Sequence, residues 1–188
     1  MQIHILFELI PNAATLQDYL RSNSHALPVS LKRDIAVRLT QAVSYLHSCG
    51  VSHRDIKTDN VMVGEDGAVK LIDFGYATTV VKGETHCGTP NYMAPELFCK
   101  KSVYNPFKVD VWALGVLLYY LFEGCYPFRG YNEKELSRNI STGVFTFRKS
   151  DPSMREVICS ALRVDPVERV SAGELQLMLE GSECMVCE

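Results

Sequence analysis

Residues 111–122 carry no charge, and the body of the run reads Trp-Ala-Leu-Gly-Val-Leu-Leu-Tyr-Tyr-Leu-Phe. A bilayer needs about 20 consecutive apolar residues, so this run is too short to cross one. A helix that is hydrophobic on every side must instead be surrounded by protein. The run therefore predicts the central helix of a globular core, and every other segment has to pack around it. At 188 residues the chain is long enough for one domain to bury such a core without disulfide or metal staples. With 47% hydrophobic residues, wholesale disorder is excluded. Lys and Arg total 19 against 22 Asp and Glu, a net charge of −3. That balance lacks the basic excess of a protein held on nucleic acid by phosphate neutralisation, and nothing in the sequence points to a membrane.

The beginning of the chain, Met-Gln-Ile-His-Ile-Leu-Phe-Glu-Leu-Ile-Pro-Asn, has no basic stretch ahead of its apolar residues, so 3–10 reads as a strand and not as a targeting segment. Seven cysteines (49, 87, 99, 125, 159, 184 and 187) are scattered and odd in number. They fit a reducing compartment, cytoplasmic or nuclear. Cys184 and Cys187 have a metal or redox spacing but lack a second pair, which makes a plain tail the simpler reading.

Helical periodicity marks 15–21, 28–48, 108–124, 133–141, 153–162 and 171–179, with Gly50 as a stop signal. Two short runs, 60–63 and 69–72, flank Glu65-Asp66-Gly67 and predict a small β-hairpin. Periodicity vanishes over 74–95, and a loop of that length inside a compact domain is usually functional. The pattern is that of an α+β chain, mainly helical, with its few strands near the beginning.

Polar clusters flank the hairpin. His53-Arg54-Asp55-Ile56-Lys57-Thr58-Asp59-Asn60 precedes it and Asp73-Phe74-Gly75 follows. Singly these residues are ordinary caps and solvated loop positions. Together they gather a carboxylate, an ammonium and an amide in one loop, and the hairpin returns a second carboxylate beside it. Phosphoryl transfer calls for such a set: a base to orient a hydroxyl, hard oxygen ligands for Mg²⁺, and positive charge for the phosphoryl oxygens.

These strings, followed by Cys87-Gly-Thr-Pro-Asn-Tyr-Met-Ala-Pro-Glu96, resemble in order the catalytic loop, metal loop and activation-segment end of eukaryotic protein kinases of the serine/threonine type. Asp110-Val-Trp-Ala-Leu-Gly and Asp165-Pro-Val-Glu-Arg169 are similar to the family's central helix and its late Asp-Pro-x-x-Arg segment. The resemblance implies a kinase-like large lobe with a hinge strand and a hairpin beside the catalytic loop. It places a partial kinase domain at 1–180 and a short tail at 181–188.

Residue roles follow by the same resemblance. Asp55 would be the catalytic base. Asn60 and Asp73 would hold Mg²⁺, and Lys57 would meet the γ-phosphate of ATP. Thr89 would bond Asp55 and Lys57 and form the platform beside an acceptor Ser or Thr of a protein substrate. Thr58 and Asp59 replace the commoner Pro and Glu, a change read as neutral. Glu8 and Ile10 would be the hinge facing adenine, with Leu16 and Met62 as the floor beneath it. Thr85 would be the regulatory phosphorylation site and Arg54 the cation its phosphate meets. His53, Phe74, Glu96, Asp110 and Arg169 are implied to be structural: His53 packing on Phe74, Glu96 paired with Arg169, and Asp110 accepting backbone N–H groups of the catalytic loop.

The resemblance begins at the hinge. A Gly-rich phosphate loop, the strand lysine and its helix glutamate have no counterpart in the sequence, since Gly64-Glu-Asp-Gly67 is a hairpin turn. The expectation is therefore a truncated chain, weak or inactive alone, whose hinge strand needs a small lobe or a partner to cover it. A non-catalytic docking or regulatory lobe is the alternative from another class. A small-molecule kinase is disfavoured by the protein-substrate platform at 88–96.

Overall fold

The computed structural model describes residues 12–23, 27–84, 88–99, 103–150 and 152–181. The strand anticipated at 3–10 and the cysteines at 184 and 187 lie outside these residues. Along the chain come β1 (Ala14–Thr15), α1 (Leu16–Ser22), α2 (Val29–Ser48), β2 (Val61–Val63), β3 (Val69–Leu71), α3 (Pro106–Glu123), α4 (Glu133–Thr142), α5 (Pro152–Ala161) and α6 (Ala172–Gly181). Short 3₁₀ turns occupy Thr58–Asn60, Pro90–Tyr92 and Pro95–Phe98.

The helices form where the apolar spacing puts them. In α2, Ile35, Ala36, Leu39 and Val43 share the buried face, and Gly50, at φ 72°, turns the chain away just past the end. The strands make a three-stranded antiparallel sheet in the order β1-β2-β3. Val61 pairs with Leu71 and Val63 with Val69, while Thr15 pairs with Met62. The two-residue alternation sends Val61 and Val63 into the core and leaves Met62 half-buried on the other face. β1 is not visible in the sequence, because two residues become a strand only by pairing with β2.

At the centre of the core lies α3, with α2 and α5 packed directly on it and α6 packed on α2 and α5. Pro106 opens α3 behind the Asn105 cap, whose side chain accepts the Phe107 N–H at 3.0 Å. From Val109 to Tyr119 every residue is buried. Gly115 lets α5 approach: a Cβ there would stand 2.8 Å from the Cβ of Ala161, closer than carbon atoms pack. Among the described residues no helix is long and apolar enough to cross a membrane.

Two acids on this helix hold the loops at its ends. Near the start, Asp110 is fully buried. Its Oδ2 accepts the His53 N–H at 2.7 Å and meets His47 Nε2 at 2.9 Å, and its Oδ1 accepts the Arg54 N–H at 2.7 Å. At the far end, the Glu123 carboxylate accepts the backbone N–H groups of Arg148 (2.9 Å), Lys149 (3.1 Å) and Ser150 (2.8 Å), and the Ser150 hydroxyl at 2.5 Å. Burial opposes the Glu123 charge, but the Ser150 hydroxyl and the three N–H groups outweigh it and hold the pKa below its usual 4.5.

Replacing Asp110 by Asn keeps the volume but turns one acceptor into a donor facing donors. The expected loss is about 3 kcal/mol of unfolding free energy, read from urea denaturation; a loss under about 0.5 kcal/mol, within the ordinary surface range, would contradict the anchoring role. For Glu123 the sign follows from its depressed pKa. Its contribution is complete above the unfolded value and is lost as pH falls through the folded one. Thermal melts of the wild type and Glu123→Gln are expected to lie apart near neutral pH and converge in acid below 4.5. A pH-independent gap would show that the charge is not what matters.

Candidate active site

The loop between α2 and β2 is positioned from its backbone outward. Ser52 and Thr78 exchange N–H···O bonds of 2.9 Å, tying the loop to the segment that follows β3. Asp110 then fixes residues 53 and 54, and Arg54 adopts φ 65°, an uncommon conformation for a residue with a Cβ. His53 is fully buried. Its Nε2–H donates to the Ile72 carbonyl at 3.0 Å, and in that tautomer Nδ1 accepts the Asp55 N–H at 3.3 Å. Its ring lies 5.0 Å, centroid to centroid, from that of Phe74. Both ring nitrogens are therefore used by the backbone.

Three side chains converge on the carboxylate of Asp55, itself only 6% exposed. Lys57 Nζ donates to Oδ2 at 2.8 Å, and Asn60 Nδ2 donates to the same oxygen at 2.9 Å and to the Asp55 carbonyl at 2.9 Å. The Thr89 hydroxyl, contributed by a segment far along the chain, donates to Oδ1 at 3.3 Å and accepts from Lys57 Nζ at 3.2 Å. The carboxylate is thereby held in one orientation.

Asp73 arrives at the same end of the hairpin, because the Ile72 N–H donates to the Asn60 carbonyl at 2.9 Å. It sits at φ 62°, is exposed, and its Oδ1 accepts the Gly75 N–H at 3.1 Å. The amide oxygen of Asn60 has no donor among the described residues. Among those residues no group of three or more His, Cys, Asp or Glu side chains is gathered as a metal site.

The substitution at Thr58 proves more than neutral for the local structure. Thr58 is fully buried. Its hydroxyl donates to Gln17 Oε1 at 2.7 Å and shares a 3.1 Å bond with the Tyr92 hydroxyl. Burial in turn pushes the Tyr92 phenol pKa far up, against the pull of the Thr58 hydrogen bond. Gln17, Thr58 and Tyr92 thus connect α1, the loop and the turn after Thr89, a linkage that nothing in their spacing announces.

Leu16, expected beside Met62 as a floor for adenine, is fully buried in the core cluster that also holds Val61, Val63, Leu117 and Leu121. Only Met62 of the pair keeps exposed surface. The reason is the strand alternation, which presents Met62 on the face opposite its valine neighbours, whereas Leu16 opens α1 and turns inward.

The remaining expected residues fall around this centre. Arg54 Nε donates to the Tyr76 carbonyl at 2.6 Å, and its Nη1 lies 3.5 Å from the Tyr104 hydroxyl. Arg169 is 1% exposed and grips both carboxylate oxygens of Glu96, at 2.8 and 3.1 Å. It also donates to the Lys108 carbonyl at 2.6 Å and stands 5.0 Å over the Trp112 ring. The pair ties the Pro95–Phe98 turn to α3. Glu8, Ile10 and Thr85 lie outside the described residues.

Comparison with known proteins supplies the family. A family profile described as protein kinase domain matches residues 1–178. The chain is 41% identical over 145 residues to the serine/threonine-protein kinase H1 homolog of Danio rerio, covering 70% of this chain and 34% of that protein. It is 42% identical over 141 residues to the CBL-interacting serine/threonine-protein kinase 5 of Arabidopsis thaliana, covering 71% and 32%. With the serine/threonine-protein kinase chk-2 of Caenorhabditis elegans the identity is 36% over 174 residues, covering 88% and 36%. The chain spans about a third of the length of these curated relatives. With the profile running over nearly its whole length and the ordered motifs folded around Asp55, the chain belongs to the protein kinase domain family.

Proposed function

We propose that this chain carries the phosphotransfer site of a serine/threonine protein kinase, using ATP and Mg²⁺ to phosphorylate hydroxyls on protein substrates. The observation that carries the reading is the convergence of Lys57, Asn60 and Thr89 on the Asp55 carboxylate. In this reading Asp55 orients the acceptor hydroxyl and accepts its proton as the phosphoryl group moves. Lys57, 2.8 Å from that carboxylate, supplies positive charge to the phosphoryl oxygens. Thr89 keeps base and lysine together and forms the wall beside the acceptor.

The residues present fit a Mg²⁺ ion. That ion keeps several of its waters and takes only one or two protein oxygens besides phosphate. The Asp73 carboxylate and the Asn60 amide oxygen would hold it, since the amide nitrogen of Asn60 is already committed to Asp55. When bound, it neutralises charge on the phosphates. Arg54, beside the base, is the cation that a phosphate on Thr85 would meet.

Two variants test the reading. In the protein that carries this chain, Asp55→Asn is expected to lower kcat for ATP-dependent phosphorylation of a Ser/Thr substrate by about 10² to 10⁴-fold, with KM for ATP little changed. Activity within about threefold of wild type, a shift of under about 1 kcal/mol in the barrier, would remove Asp55 from the base role. Asp73→Asn is expected to abolish the Mg²⁺-dependent part of ATP binding followed by calorimetry. Unchanged metal dependence would send the metal elsewhere.

A further inference from the structure

A pocket of about 510 Å³ opens between the end of α3, the loop after it, α4 and the loop beyond. Its volume lies within the range of small-molecule sites, about 300–1,000 Å³. None of its lining residues belongs to the Asp55 cluster. The walls are aromatic: the Phe145 ring stands 5.7 Å from that of Tyr119 and 5.6 Å from that of Phe128, in edge-to-face contact with both. Tyr119 is held by its hydroxyl, which donates to the Thr146 carbonyl at 2.5 Å.

Two arginines, Arg129 and Arg148, line the same pocket. Neither guanidinium has a hydrogen-bond or carboxylate partner among the described residues. Glu123, the nearby acid, is already occupied by the N–H groups of residues 148–150 and the Ser150 hydroxyl. Both guanidiniums act on the Tyr119 phenol: burial, with Cys125 and Glu123 adding to it, pushes its pKa up, and Arg148 and Arg129 pull it back. Both arginines, exposed at the rim, therefore border one space backed by aromatic rings. The free thiol of Cys125, half-buried, forms part of the lining.

Aromatic faces favour a flat apolar body, and guanidinium forks bind an oxyanion with two oxygens to offer, such as a carboxylate or a sulfonate, through two parallel hydrogen bonds. From this combination we infer that the pocket between α3 and α4 is a binding site for a small amphiphilic organic anion, an aryl body bearing one carboxylate or sulfonate. Arg129 and Arg148 take the head group, and Phe145, with the partly exposed Tyr126 and Val144 beside it, takes the body over the buried rings of Tyr119 and Phe128. The site is independent of the phosphotransfer reading, because it uses none of the same residues.

The probe is 8-anilinonaphthalene-1-sulfonate, with the neutral N-phenyl-1-naphthylamine as its uncharged counterpart. Fluorescence titration of the 188-residue chain is expected to show saturable binding of the sulfonate. Arg129→Gln and Arg148→Gln should each weaken it about tenfold or more, with circular dichroism unchanged and the neutral dye unaffected. Bound sulfonate should also slow alkylation of Cys125 by iodoacetamide, followed by peptide mass spectrometry, while exposed Cys49 reacts at its normal rate. The assignment is overturned by the absence of saturable sulfonate binding, by equal affinity in the arginine variants, by equal losses for the neutral dye, or by an unprotected Cys125.

Discussion

A carboxylate removed from water needs donors around it, and Asp110 finds them in the N–H groups of His53 and Arg54 and the ring of His47. The donors come from α2 and from the loop that follows it, while the acceptor sits on the most buried helix of the molecule. The position of the whole loop is thereby referred to the core. Arg54 is held in its left-handed conformation by the same contact, and Asp55 follows immediately. If Asp110 lost its charge, two backbone N–H groups would be left poorly matched, and the loop would lose the reference that sets Asp55 against Thr89.

The site is built by closing distant segments on that fixed point. Lys57 and Asn60 are local, supplied by the turn that leads into β2. Asp73 is returned by the hairpin, and Thr89 comes from the segment that Arg169 and Glu96 tie to α3. A buried Arg–carboxylate pair adds little net stability when its desolvation is counted. Here the geometry points to a positional role: Arg169 bonds carbonyls at 108, 163 and 164 as well as Glu96, so it joins three segments at one guanidinium. At the other end of α3, Glu123 does comparable work for the loop that bounds the aromatic pocket.

Much of this was legible in the sequence where the cause is local. The Glu65-Asp66-Gly67 turn with its flanking valines specifies the hairpin, and the 3.6-residue spacing of Ile35, Leu39 and Val43 specifies α2. The polar strings at 53–60 and 73–75 pointed to phosphoryl chemistry because they are short and ordered. What remained hidden depends on partners far along the chain. Thr58 reads as an exchangeable loop residue until Gln17 and Tyr92 meet it. The full burial of Leu16 depends on the remote core residues Leu117 and Leu121 that share its cluster. Glu123 looks like an ordinary acid at a helix end, and only the fold brings three N–H groups to it.

The sequence by itself determined that a single apolar helix must lie at the centre, and its ordered motifs resemble those of the protein kinase family, which implies the side chains for phosphoryl chemistry. The first follows from composition and the second from local order, which any conformation of the chain would carry. Only the tertiary structure decided that Lys57, Asn60 and Thr89 meet on one carboxylate, that Met62 and not Leu16 keeps open surface, and that two arginines face a shared aromatic pocket. Such outcomes rest on hydrogen-bond directions and packing distances between remote segments. Those are settled only when the buried polar groups and the core are satisfied together.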